Sequence, residues 1–143
     1  MPIKDPHVNF NFHVEIDGFV RAAFHEVSGL DSSIDVIEHR EGGETLTTRK
    51  YPGQVKFSNI SLKWGMTDDS ELYEWHKQWA DGDPAATRRN GSIILLDRQG
   101  QEKARWNFFR GWPAKWTGPT FNAESSDLAI EAMEIAHDGL ARA

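Results

Sequence analysis

The residues best suited to chemistry in this chain are six histidines, at positions 7, 13, 25, 39, 76 and 137. No two of them stand at the i, i+4 spacing that puts a pair of imidazoles on one helix face for zinc. Cysteine is absent, which removes thiolate ligands, disulfides and thiol nucleophiles together. Ser28-Gly29, with Glu26 beside it, lies near a turn but lacks the strand–turn–helix setting of a nucleophile elbow. Gly42-Gly43 and Gly91 stand in no GxGxxG or GKS/T context, so no phosphate cradle is expected. Asp68, Asp69 and Glu71 could form an acid pair, yet capping and helix-dipole stabilisation account for them without chemistry. Trp64, Trp75 and Trp79 read as core, whereas Trp112 and Trp116, bracketing Pro113, could anchor an interface or close the lid of a barrel. The expectation is a protein that is not an enzyme and needs neither metal nor cofactor.

What remains unexplained is the stretch His39–Gly53, HREGGETLTTRKYPG, between two segments that both read as strands. Arg40, Glu41, Glu44, Arg49 and Lys50 nearly balance in charge, and Gly42-Gly43 and Pro52-Gly53 hinge its two parts. Loops of this length without structure of their own are usually functional or disordered. Disorder would need a higher net charge and fewer turn-setting residues. The arm is therefore expected to reach out and dock on a partner.

At 143 residues the chain fits one domain, residues 1–143, with the arm 39–53 protruding from it. A chain of this size buries roughly two thirds of its unfolded surface. The apolar share of 38% suits a soluble globular domain. The N-terminus MPIKDPHVNF has no signal-peptide core, and no apolar run approaches the ~18 residues of a membrane span. These features point to a cytosolic site of synthesis. A net charge of -6, with pI near 5.5, argues against binding nucleic acid by phosphate neutralisation, although DNA could slide past such a surface.

The elements that must position these residues are mostly strands. Val8, Phe10, Phe12, Val14 and Ile16 alternate with polar neighbours, and Asp17-Gly18 turns the chain into a second strand over 19–27. Ile34 and Val36 alternate over Ser33–Glu38 and lead into the arm. Val55 and Phe57, then Ile60, Leu62 and Trp64, alternate in two registers, the signature of a bulge at Ser58-Asn59. Leu72, Trp75 and Trp79 switch to helical spacing over Asp68–Ala80, with Asp68 as N-cap, Glu71 completing a capping box, and Asp81-Gly82 and Pro84 as the stop. Ser92–Leu96, a DRQG turn and Glu102–Phe109 form a hairpin, while WPAKWTGP carries too many breakers for a regular element. Leu128–His137 fits a helix or a bulged strand. About seven antiparallel strands and one helix imply a sandwich or barrel capped by that helix.

The runs FHEVSGL, VIEHREGG, TRKYPG, NISLKWGMT, LLDRQG, RWNFFRGWPAKWTGP, FNA and IEAMEIAHDGL occur in order across nearly the whole chain. Together they resemble the inner tube proteins of phage-tail-like contractile injection systems, a group akin to phage tail tubes and the haemolysin-coregulated ring protein of type VI secretion. The resemblance implies a mainly β tail-tube fold: two packed antiparallel sheets forming a barrel or sandwich, one flanking helix and a long extended loop, with Leu128–His137 as a strand. It implies hexameric rings stacked into a tube with a central channel, inside a contractile sheath. The implied partners are further copies of the chain, the sheath protein, baseplate and spike proteins, and luminal cargo, protein or DNA. The particle would be assembled in the bacterial cytoplasm and could be released outside the cell. The same resemblance carries a subunit or ring contact onto Arg40, Glu41, Glu44, Arg49, Lys50 and Tyr51, beside Trp112 and Trp116. A tube initiator at the baseplate is the alternative within this group. Outside it stand a small-ligand carrier with a hollow interior and an esterase or flavin-binding barrel.

Overall fold

The computed structural model describes residues 11–17, 19–40, 47–66, 70–120 and 129–143. The expectations for Val8 and Phe10, for Gly18, for Glu41 to Glu44, for Asp68 and Asp69, and for the FNA run and Leu128 lie outside them. Ten strands and one helix follow in order: β1 Asn11–Ile16, β2 Phe19–Phe24, β3 Glu26–Ser28, β4 Ser32–His39, β5 Arg49–Phe57, β6 Ile60–Gly65, α1 Glu71–Ala80, β7 Arg89–Leu96, β8 Glu102–Thr117, β9 Ile130–Ala136 and β10 Gly139–Arg142.

Eight of these strands form one continuous sheet in the order β2-β1-β7-β8-β9-β6-β3, with β10 also on β8. Every ladder is antiparallel. The 16-residue β8 belongs to both halves: its first part pairs with β7 and β10, its second with β9. The sheet bends there and packs on itself, making a sandwich whose ends do not close into a barrel among the described residues. At the bend a bulge opposes Asn90 to two residues of β8, and Arg110 takes a left-handed φ of 54°. The Arg110 backbone N–H donates to Asn90 Oδ1 at 2.9 Å, which satisfies the donor that the bulge takes out of the ladder.

The interior follows from the alternation seen in the sequence. Val14 and Ile16, Ile60, Leu62 and Trp64, Met133 and Ile135 all point inward and join Phe24, Ile93 and Phe108 in one cluster. Trp64 and Phe108 are fully buried, so the middle of the sandwich is filled by side chains. Gly91 and Gly111 flank Phe108, and a Cβ at either position would stand 2.4 Å and 2.7 Å from its ring. The bend can form because both strands lack side chains where the phenyl group crosses them.

Several sequence expectations change. The second strand breaks at His25, and its two parts pair with different halves of the sheet, β2 with β1 and β3 with β6. The slip at Ser58-Asn59 is not a bulge within one strand but the passage from β5 to β6, which lie in separate sheets. WPAKWTGP is strand as far as Thr117, because an irregularity between Pro113 and Lys115 absorbs the missing N–H of Pro113. The segment that fitted helix or strand is β9.

The helix starts at Glu71 with Ser70 in the N-cap position and no side-chain cap from it; Ser70 Oγ donates to Glu74 Oε1 at 3.2 Å. Glu71 and Glu74 in the first turn and Lys77 in the last complement the helix dipole. Gly82 follows the C-cap with φ 69°, where a side chain would be strained. Leu72 and Trp75 drop into the core. His76 Nδ1 meets the Pro113 carbonyl at 3.0 Å.

Candidate functional site

Among the described residues the remaining two strands, β4 and β5, pair only with each other and form a two-stranded ribbon outside the main sheet. Much of the arm is therefore strand: Tyr51 lies opposite Ile37, Lys50 opposite Glu38 and Arg49 opposite His39. Strand pairing extends further into the arm than alternation indicated, because Arg49, Lys50 and Tyr51 continue a ladder without an apolar period.

A two-stranded ribbon in water is marginal by itself. This one also exposes the wrong surface. Ile34, Val36 and Val55 are 54%, 61% and 54% exposed, and Ile37 and Tyr51 are similarly open. Ile34 pairs with Val55 and Val36 with Pro52, and an extra residue in β5 between these pairs keeps all four on one face. The opposite face carries Ile37 and Tyr51, flanked by the Lys56–Asp35 ion pair at 3.0 Å and the His39–Tyr51 ring contact at 6.4 Å. Gly53 fits on this second face because a Cβ there would press on Asp35 and Ile37 at 3.2 Å. The ribbon thus presents apolar residues on both faces with charged residues around them, the makeup of an interface core and rim.

Arg40 is exposed just beyond β4, and Arg49, Lys50 and Tyr51 are exposed at the start of β5, on the same end of the ribbon. Glu41 and Glu44 lie outside the described residues. Trp112 and Trp116 sit elsewhere, half-buried on β8 beneath α1. The Trp112 ring is 5.5 Å from Trp79 and the Trp116 ring 4.7 Å from Tyr73, so both hold the helix to the sheet. Sequence reasoning missed Ile34, Val36 and Val55 as exposed residues, since alternation normally marks a face turned to the core. The available signal was Ile37 next to Val36, which makes both faces of β4 apolar.

Elsewhere Met66, Tyr73, Phe109 and Ile130 are exposed one by one among polar side chains, several of which pair with each other. Arg105 donates to Glu102 at 2.8 Å and reaches Glu15 on β1 at 3.5 Å, and the Glu102 carboxylate holds its guanidinium more firmly protonated. Ser92 Oγ donates to Asn107 Oδ1 at 2.6 Å on the same face. A shallow hollow beside the end of α1 is lined by Glu74, Lys77, Gln78, Asp81 and Asp83. Among the described residues no group of three metal-ligating side chains comes together. No described helix is long and apolar enough to cross a membrane.

Against known proteins, the family described as T4-like virus tail tube protein gp19 matches residues 8–141. The chain belongs to this tail tube family. Among solved structures, a chain of an extracellular contractile injection system, the PVC sheath–tube complex in its extended state, is 27% identical with a TM-score of 0.80; the match covers 99% of this chain and 93% of that one. A chain of the anti-feeding prophage cap is 25% identical with a TM-score of 0.81, covering 100% and 94%. Hcp1 from Flavobacterium johnsoniae shares the fold at 15% identity and a TM-score of 0.59, covering 92% and 94%. No curated protein sequence matches. As a tail tube protein the chain has structural tube components as its neighbours.

Proposed function

We propose that this tail tube protein is the repeating subunit of the inner tube of a contractile, phage-tail-like particle, forming hexameric rings that stack around a central channel. The observation that carries the reading is the β4–β5 ribbon, whose apolar residues on both faces stay about half exposed. A second copy covers them. A heterologous contact of this kind closes into a ring, and joining sheets between neighbours removes the free edges that an open sheet leaves to solvent.

Within this assembly Ile34, Val36, Val55, Ile37 and Tyr51 provide the apolar contact. Arg40, Glu41, Glu44, Arg49 and Lys50 set its register against neighbouring subunits and rings, since complementary charges reject wrong partners more than they add affinity. Trp112 and Trp116, half-buried on β8 under α1, belong to the subunit or ring contact on a separate part of the surface. The tube acts as a passive conduit driven by sheath contraction, and cargo passes or rides at its tip with no covalent chemistry by this chain. Surrounding sheath, baseplate and spike partners, assembly in a bacterial cytoplasm and later release are part of the same reading. The relative solved as a sheath–tube complex supports the sheath.

Negative-stain microscopy of purified protein over a concentration series tests it: rings or stacked tubes are expected. A purely monomeric species at high concentration would overturn it. Copy number in an isolated particle separates the repeated subunit from a tube initiator.

A further inference from the structure

We infer that His137 is a positioning residue that fixes the angle of the ribbon on the body of the protein. The inference rests on the ribbon being the docking element. The ribbon joins the body through two short connections, residues 29–31 before β4 and 58–59 after β5. They meet directly: Gly29 has φ 87°, and a Cβ on it would lie 2.0 Å from the Asn59 carbonyl oxygen. Only glycine allows this approach.

His137, between β9 and β10, holds the second connection from the other side. Its Nε2 lies 3.0 Å from the Ser58 carbonyl oxygen and its Nδ1 3.0 Å from that of Gly139. The ring also stands 5.7 Å from Phe57, the last residue of the ribbon, and 6.3 Å from the buried Phe108. It therefore links the ribbon's base to the core by stacking and to the body's backbone by hydrogen bonding. A neutral imidazole has one N–H and donates to one of these carbonyls; the imidazolium donates to both. The charged groups around it are engaged with each other. Asp138 takes Arg110 Nε at 2.9 Å and Arg88 Nη1 at 3.5 Å, and Lys56 of β5 is paired with Asp35. Among the described residues no carboxylate forms an ion pair with His137. The clamp thus works through two backbone carbonyls and the ring contacts with Phe57 and Phe108.

The leverage is large. Eight residues of β4 span about 26 Å, so a tilt of about 10° at the base moves the far end by roughly 4–5 Å, more than one residue of strand register. An arm that must meet a neighbour in register depends on that angle.

The chain has no cysteine, so Lys50→Cys on the ribbon and Gln99→Cys in the β7–β8 turn give two unique spin-label sites. Labelled protein is diluted into excess unlabelled protein, and the intramolecular distance is read by pulsed electron resonance. The parent should give one narrow distance. His137→Phe, which keeps the ring packing and loses both bonds, should lose that peak to a broad distribution while circular dichroism stays unchanged. Gly29→Ala should shift the distance. His137→Gln, which loses the ring contacts with Phe57 and Phe108, should broaden the peak as well. Distances in both His137 variants indistinguishable from the parent's would overturn the inference. Because the readout needs no tube, absence of rings in microscopy would defeat the functional reading, whereas unchanged distances would defeat the role of His137 alone.

Discussion

The ribbon's uncovered face gives a prediction whose size follows from the structure. Replacing Ile34, Val36 and Val55 together by Thr keeps residues that favour strands and removes apolar surface from one face of the ribbon. Each parent side chain keeps half or more of its surface in water in the single chain. Full burial of a Val or Ile is worth about 1.5–3 kcal/mol, so covering the exposed share contributes about 1 kcal/mol each and about 3 kcal/mol for the three. A hydroxyl buried at an interface without a partner adds about 1–3 kcal/mol of penalty. The triple substitution should therefore weaken association by about 4 kcal/mol or more per contact, roughly a thousandfold. The isolated fold should barely notice, because each exposed position contributes within about 0.5 kcal/mol and the dilute chain should melt within about 5 °C of the parent. Sedimentation velocity over a concentration series measures the first effect, and thermal melting below the assembly threshold measures the second. An assembly midpoint that moves less than about tenfold would refute the docking role of this face, given that loss of about 1.4 kcal/mol already accounts for such a shift. A large fall in dilute melting temperature would instead mean that the face packs within the chain.

Reversing Arg49 and Lys50 to Glu should leave the domain folded and suppress ring stacking, and added salt should weaken stacking of the parent. Because Lys50 lies opposite Glu38, a Glu38→Lys and Lys50→Glu exchange keeps the cross-strand pair and isolates the outward effect; normal tubes from the Arg49/Lys50 reversal would sink the charge assignment. Gly91→Ala drives a methyl to 2.4 Å from Phe108 Cζ and 2.6 Å from the Glu15 carbonyl oxygen, so overpacking of about 1–3 kcal/mol should lower the melting temperature by roughly 3–10 °C. An unchanged melt would show that the sheet bend does not depend on this glycine. Asp97 accepts backbone N–H bonds from Gln101 and from Gln99, with Lys103 also near, and its carboxyl is held below the usual 3.8. A depressed native value means that its contribution is full above the unfolded value and fades as pH falls through the native one. The stability gap between the parent and Asp97→Asn should therefore shrink on going from about pH 7 to about pH 3, measured by thermal melts; a constant gap would contradict it.

The alternation of Val14 and Ile16, the Leu72–Trp75–Trp79 spacing, the DRQG turn and the Leu62–Trp64 pair were legible in the chain because each follows from a local period, and each landed where its period put it. Family membership was legible too, through short runs spread in order along the sequence. Four features were decided only by tertiary structure. The break at His25 and the passage at Ser58-Asn59 depend on which distant strand each segment pairs with, and β-pairing partners leave no mark on a local period. The continuation of β8 through Pro113 depends on β9 lying alongside to accept it and on an irregularity that removes the need for the proline N–H. The exposure of Ile34, Val36 and Val55 shows the same limit most clearly. A period of two says that one face of a strand differs from the other, but whether that face meets a core, water or a second copy of the chain is settled by what packs against it, which the sequence of one strand does not contain.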